Sequence, residues 1–257
     1  MNDTSSAPVV VFDDVVCQYG ATPVLSHVSF ALARGETIAL VGRSGEGKST
    51  LLRCVNGLLL PDSGSVLVDG RNTREWDPIA LRRRTGYVLQ EVGLFPHMTI
   101  AQNVIVVPRL EGWPAVQRDA RARELLDLVG LPASEYGERR PHELSGGQRQ
   151  RVGVARALAV RPPVLLMDEP FGALDPITRA ELRTEFQRIR RELHQSALIV
   201  THDMAEALIL GDRVGVLHDH ELLVCDTPER VAQSTDPRVR ALLDASASIA
   251  VGSPRAR

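Results

Sequence analysis

At 257 residues the chain exceeds the usual single domain and suits one α/β core carrying an inserted satellite. Hydrophobic residues make up 44% and charged residues 24%, with a formal net charge of -2, which is ordinary globular chemistry with no global pull toward nucleic acid. No run of about 18 apolar residues occurs, and Met1-Asn2-Asp3-Thr4 lacks the basic and apolar regions of a signal peptide, so the chain is expected to stay in the cytoplasm.

In chain order, β-rich runs at residues 9–12 and 37–41 come first. Directly after the second, Gly42-Arg43-Ser44-Gly45-Glu46-Gly47-Lys48-Ser49-Thr50 fits G-x-x-x-x-G-K-[ST] and leads into the helical Leu51-Leu52-Arg53. A β-rich run at 66–68 follows, then Asp77-Pro78, which reads as N-cap and first helical residue of a short helix over 79–84, since Pro loses nothing where the N–H has no partner. A strand at 87–89 precedes Gln90. Between 99 and 160 the periodicity becomes helical: Leu125, Leu128 and Val129 share a face, and Gly130-Leu131-Pro132 supplies a stop. β-type runs resume at 164–167 and 198–200, so the helical block is inserted into an alternation that favours a mostly parallel sheet. Past Asp226-Thr227-Pro228 only helical turns and a Ser/Ala/Arg-rich tail are expected, with the last dozen residues disordered. Cys17, Cys54 and Cys225 are too scattered for a metal site and read as buried or incidental thiols.

Three motifs carry chemistry. In the first, glycines let backbone N–H groups turn inward on phosphates, Lys48 can reach the β- and γ-phosphates, and the Ser49 hydroxyl can ligate Mg²⁺ at the positive end of a helix. In the second, the buried-strand run Pro163-Val164-Leu165-Leu166-Met167 delivers Asp168 and Glu169 to the ligand-binding edge of a parallel sheet. Asp168 suits Mg²⁺, directly or through water, and Glu169 can polarise the attacking water as a general base. The third, Leu144-Ser145-Gly146-Gly147-Gln148, opens a helix with apolar positions Val152, Ala155 and Leu158, making a second anion-ready helix N-terminus. If the second anion site lies on the helical block, one nucleotide does not easily fill both sites of one chain, which suggests head-to-tail dimerisation around shared ATP. A plain strand end and a plain helix cap are the competing readings of the last two motifs.

The phosphate loop, the Leu-Ser-Gly-Gly-Gln signature and the apolar-Asp-Glu run, in this order, resemble the ABC ATPases over about residues 8–235. That resemblance implies a P-loop NTPase (RecA-like) α/β core, an N-terminal antiparallel β subdomain, a helical subdomain over about 99–160, and a short tail at 236–257. It further implies that Tyr19 stacks on adenine, that Gln90 links the Mg²⁺ site to the helical subdomain, that Asp175 makes a dimer contact and that His202 is the switch histidine. Taken singly, Tyr19 also reads as a half-buried strand residue, Gln90 as a turn, Asp175 as an N-cap beside Pro176, and His202 as a strand-end histidine.

Apolar residues in Glu91-Val92-Gly93-Leu94-Phe95-Pro96-His97-Met98-Thr99-Ile100 either form ordinary core or line a groove for a helix of a membrane subunit. This stretch, together with Val107-Pro108, Gly112-Trp113 and the run from Pro170 to Arg179, resembles the ATPases of quaternary-amine (glycine betaine, carnitine, choline) importers. Many of these carry paired CBS domains after the ATPase, which are not expected within these 257 residues. The implied partners are transmembrane permease subunits, a second and identical ATPase subunit, and an extracytoplasmic solute-binding protein acting through the permease. The implied location is peripheral, on the cytoplasmic face of the membrane. Arg82-Arg83-Arg84 and the arginines of 188–191 read as solvated helix faces, not a nucleic-acid surface. The rivals are an importer ATPase for another small solute, a soluble ABC ATPase of translation or DNA repair, and a nucleotide-binding module that does not turn over.

Overall fold

In the computed structural model, residues 7–172 and 174–251 are described. They form two units, one built from residues up to 75 together with those from 198 onward, the other from 76–197.

The first unit begins with strands β1 (Val10–Tyr19) and β2 (Thr22–Leu32), rich in β-branched and aromatic residues. With β4 (Ser63–Val68) and β5 (Arg71–Asn72) they make an antiparallel sheet in the order β2-β1-β4-β5. Phe12 and Phe30, paired across β1 and β2, stack with ring centroids 4.6 Å apart. Between β2 and β4 in sequence come β3 (Thr37–Val41), buried at every position as a strand covered on both faces must be, and helix α1 (Lys48–Val55).

The second unit opens with α2 (Pro78–Arg84), capped by Asp77, whose Oδ1 accepts the Ala80 N–H at 2.8 Å. Strand β6 (Gly86–Val88) follows, then helices α3 (Ile100–Val104), α4 (Val106–Leu110), α5 (Ala115–Leu128), α6 (Ala133–Tyr136) and α7 (Gly146–Leu158). Gly130 ends the α5 segment at φ 68, a conformation that favours glycine. Strand β7 (Val164–Asp168) runs parallel to β6, pairing Val88 with Met167, and α8 (Pro176–Leu193) completes the unit. On α8, Arg188 pairs with Glu185 at 2.8 Å and Glu192 at 2.7 Å, but Arg190 is buried at 8% exposure. The solvated face expected over 188–191 is thus corrected at Arg190, which follows Leu182, Phe186 and Ile189 onto the packed side of the helix.

Strand β8 (Ser196–Thr201) leads back to the first unit, followed by α9 (Met204–Leu210), β9 (Arg213–His218), β10 (Glu221–Asp226), α10 (Pro228–Ala232) and α11 (Pro237–Val251). The order β10-β9-β3-β8 combines a parallel β3/β9 pair with an antiparallel β9/β10 hairpin. His218 pairs with Glu221, leaving Asp219-His220 as a two-residue turn with φ of 49° and 69°. Positive φ at both positions matches the type I′ turn that usually takes Asn-Gly or Asp-Gly. Non-glycine residues there cost about 1–2 kcal/mol each. Strands β2, β5, β9 and β10 lie outside the sequence expectation. The tail expected at 236–257 is helical over Pro237–Val251: Asp236 Oδ1 accepts the Arg238 N–H at 2.8 Å, and Val239, 1% exposed, packs with Ala207, Val214 and Val231. Residues 252–257 of that tail lie outside the described residues.

Candidate functional site

The phosphate loop joins β3 to α1 in the first unit. Gly45 and Gly47 adopt φ of 90° and 91°, and a Cβ on Gly47 would sit 2.3 Å from the Val24 carbonyl oxygen. Only glycine fits so close to β2. Tyr19, 53% exposed, ends the strand paired to β2, so the hairpin bearing this residue is the one packed on the loop. Arg43, Ser44 and Gly45 are exposed, whereas Lys48 is 5% exposed and its Nζ donates to the carbonyls of Gly42 at 2.8 Å and Arg43 at 2.7 Å. Thr50, 6% exposed, sits on the buried side of α1, and Ser49 is half-buried beside it. Glu46, in contrast, has its carboxylate engaged within the protein, accepting the His220 N–H at 3.2 Å. His202 follows β8, the neighbour of β3, and is exposed; Asp203 beside it caps α9 through the N–H groups of Ala205 and Glu206.

In the second unit, parallel pairing of β6 and β7 places Gln90 and the Asp168-Glu169 pair after neighbouring strands. Gln90 is exposed and the two carboxylates are half-buried. The Tyr87 hydroxyl donates to Asp168 Oδ2 at 3.5 Å, a partner the sequence reading missed. Glu169 stands at φ 44, left-handed without being glycine. Such outliers persist where surrounding structure over-determines them, and they cluster at active sites. The Gly172 N–H donates to the Glu169 carbonyl at 3.2 Å, closing the turn.

Ser145 caps α7: its Oγ accepts the Gln148 N–H at 3.2 Å while Gln148 Oε1 accepts the Ser145 N–H at 2.9 Å, a reciprocal capping box. Gln148 is therefore turned back onto its own helix, and its Nε2 reaches the Tyr136 hydroxyl at 3.4 Å. Ser145 and Gly146 are exposed, but Gly147 is buried because a Cβ there would meet Thr178 Cγ2 at 2.5 Å, so α7 and α8 need a glycine at their crossing. Asp175 caps α8, accepting from the Ile177 and Thr178 N–H groups at 3.1 and 3.0 Å. A hydrogen bond from the Thr178 side chain first, and then the backbone N–H bonds, hold its carboxyl below the usual range.

Gln90, Val92, Leu94, Gly146, Arg149 and Leu174 are among the residues lining a groove of about 380 Å³. Arg156 secures that loop from α7, donating to the Val92 carbonyl at 2.5 Å and the Gly93 carbonyl at 2.8 Å. Gly153, one turn earlier, leaves room for Val92, whose Cγ1 would lie 2.6 Å from an added Cβ. An arginine inside the apolar face of α7 was the available signal for this residue.

A buried strand, a glycine loop with an inward lysine and a following helix define a nucleotide-binding P-loop fold. The sequence pattern described as ABC transporter matches residues 25–172, and the chain belongs to that family. It is 50% identical over 215 residues to the choline transport ATP-binding protein OpuBA of Bacillus subtilis, covering 84% of this chain and 56% of that one. It is also 48% identical over 212 residues to the glycine betaine uptake system ATP-binding protein YehX of Escherichia coli, covering 82% and 68%. The chain spans about half the length of the first of these relatives. Among solved structures, cbiO1 of Clostridium perfringens, part of the transporter complex cbiONQ, superposes with a TM-score of 0.80 at 27% identity over 92% of this chain and 99% of that one. A dimeric cassette in a post-hydrolysis state with ADP and Pi gives 0.74 at 32% identity over 85% and 98%.

Proposed function

We propose that the chain is the ATP-binding and hydrolysing subunit of an ABC importer for quaternary-amine osmoprotectants such as choline, glycine betaine or carnitine. The hydrolytic half of this reading is carried by Glu169, held in a left-handed backbone directly after Asp168 at the end of β7. The substrate half is supported by the 50% identity to a choline transport ATP-binding protein. Lys48, whose ammonium donates to the Gly42 and Arg43 carbonyls of the loop, is the cation for the β- and γ-phosphates. Ser49, Asp168 and Gln90 offer oxygen donors, the set Mg²⁺ prefers, and the ion supplies charge neutralisation on the phosphates. Glu169 orients the attacking water and takes its proton, His202 donates toward the γ-phosphate, and Tyr19 stacks on adenine. Ser145 and Gly146, exposed at the N-terminus of α7, and Asp175 serve the nucleotide and contacts of a second copy. The loop after Gln90 receives a helix of a membrane permease at the cytoplasmic face, and a solute-binding protein delivers cargo from the other side. Among the described residues no helix is long and apolar enough to cross a membrane, which fits a peripheral subunit.

Glu169→Gln is expected to bind ATP, to accumulate as an ATP-bound dimer and to lose turnover by ~100-fold or more, the scale of losing a general base; a monomer hydrolysing at the parent rate refutes the assignment. A second reading, import of another small solute, is favoured by 45% identity over 227 residues to the methionine import ATP-binding protein MetN of Brucella abortus, of which 61% is covered. Uptake of radiolabelled choline, glycine betaine, carnitine and methionine by cells with and without the subunit separates the two.

A further inference from the structure

Glu46 sits in the middle of the phosphate loop, where a carboxylate is an unfavourable neighbour for a triphosphate. The structure turns it away. At 9% exposure, its Oε2 accepts the His220 N–H at 3.2 Å and its Oε1 lies 3.5 Å from His218 Nδ1. His220 is pinned from the other side as well, its carbonyl accepting the Ser26 N–H of β2 at 2.8 Å. The turn so held is the one with positive φ at both Asp219 and His220, where a flexible glycine is the usual second residue. A second contact ties the same loop to β9: a Cβ on Gly42 would lie 2.7 Å from the Leu217 carbonyl oxygen. Backbone outliers held in place by their surroundings mark sites where shape matters.

We infer that Glu46 is a positioning residue: by accepting the His220 N–H and facing His218, it fastens the phosphate loop to the β9–β10 turn in the shape that receives a triphosphate. The inference rests on the proposed role of this loop as the ATP site. The Glu46 carboxylate is engaged by His220 and His218, and its effect passes through the loop backbone.

The test is calorimetric ATP binding, with KM and kcat for hydrolysis, on the parent chain and on Glu46→Ala, Glu46→Gln and His218→Ala. Glu46→Ala is expected to raise Kd about tenfold, the scale of one hydrogen bond to a charged acceptor, with KM rising more than kcat falls. Glu46→Gln keeps an acceptor for the N–H and is expected to recover most of that affinity, a rescue that a general loss of stability would not show. Unchanged affinity in Glu46→Ala, or equal losses in the Ala and Gln variants, overturns the inference. Should Glu46→Ala not fold, His218→Ala decides: a rise of about threefold supports the fastening, and parental affinity overturns it. If the parent chain binds no ATP, the proposed function fails first; if it binds ATP and the variants bind equally, this inference alone fails.

Discussion

Gly45 and Gly47 stand two residues apart in one loop at nearly the same φ, 90° and 91°, but in different surroundings. Replacing either by alanine forces a side chain into left-handed backbone, at about 1–2 kcal/mol. At Gly45 nothing lies within 4 Å of the added Cβ, so the backbone effect acts alone. At Gly47 the Cβ meets the Val24 carbonyl oxygen at 2.3 Å and Leu25 Cδ2 at 2.7 Å. Leu25 is fully buried, so neither atom can move freely, and overpacking of this kind adds a further ~1–3 kcal/mol. Urea unfolding of both variants should therefore show Gly47→Ala less stable than Gly45→Ala by that second amount. Calorimetric titration with ATP should show weaker binding for both, because both reshape the phosphate cradle. Equal stability losses in the two variants, or a larger loss at Gly45, would refute the steric argument.

Arg156→Ala removes two charged donors from the Val92 and Gly93 carbonyls and is expected to lower urea stability by ~2–3 kcal/mol and to slow ATP turnover by loosening the loop after Gln90; a neutral result in both assays refutes the clamp. Asp236 has its carboxyl lowered to about 2, chiefly by the Arg238 side chain, so its contribution to α11 is complete above the ordinary aspartate value near 3.9 and disappears as pH falls toward 2. Comparing the parent with Asp236→Asn by urea titration from pH 5 to pH 2 should show the difference between them shrinking across that window, and a difference constant with pH contradicts the assignment. Burial pushes the Cys225 thiol up to about 11, so at pH 8 about one molecule in a thousand carries the thiolate there; labelling at Cys225 by a thiol reagent, read by peptide mass spectrometry, should be correspondingly slow in the native chain and should accelerate on unfolding, and fast native labelling at this position contradicts the assignment.

Much of the site was readable before folding, since local chemistry dictates it. A strand, a glycine loop and a helix in immediate succession must place backbone N–H groups and Lys48 at one point, and an apolar run ending in Asp168-Glu169 must bring those carboxylates to a sheet edge. Caps were legible for the same reason: Asp77 and Ser145 satisfy N–H groups only three residues away. The alternatives set beside Asp175 also persisted, because its carboxylate does cap α8.

Long-range choices were left to the tertiary structure. The β9–β10 hairpin was invisible because its turn is Asp-His without glycine, and Glu46, 174 residues earlier, and Ser26 hold the His220 backbone there. Helix α11 looked like a polar tail until Val239 found Ala207, Val214 and Val231 to pack against. Glu46, inside the phosphate-loop motif, was turned from solvent by His218 and His220, partners that no spacing rule encodes. The sequence by itself determined which backbone segments carry phosphate and carboxylate chemistry, because those signals span a few residues. Contacts between residues far apart in the chain decided which motif side chains remain outward, because burial and hydrogen-bond satisfaction are settled only when distant strands meet.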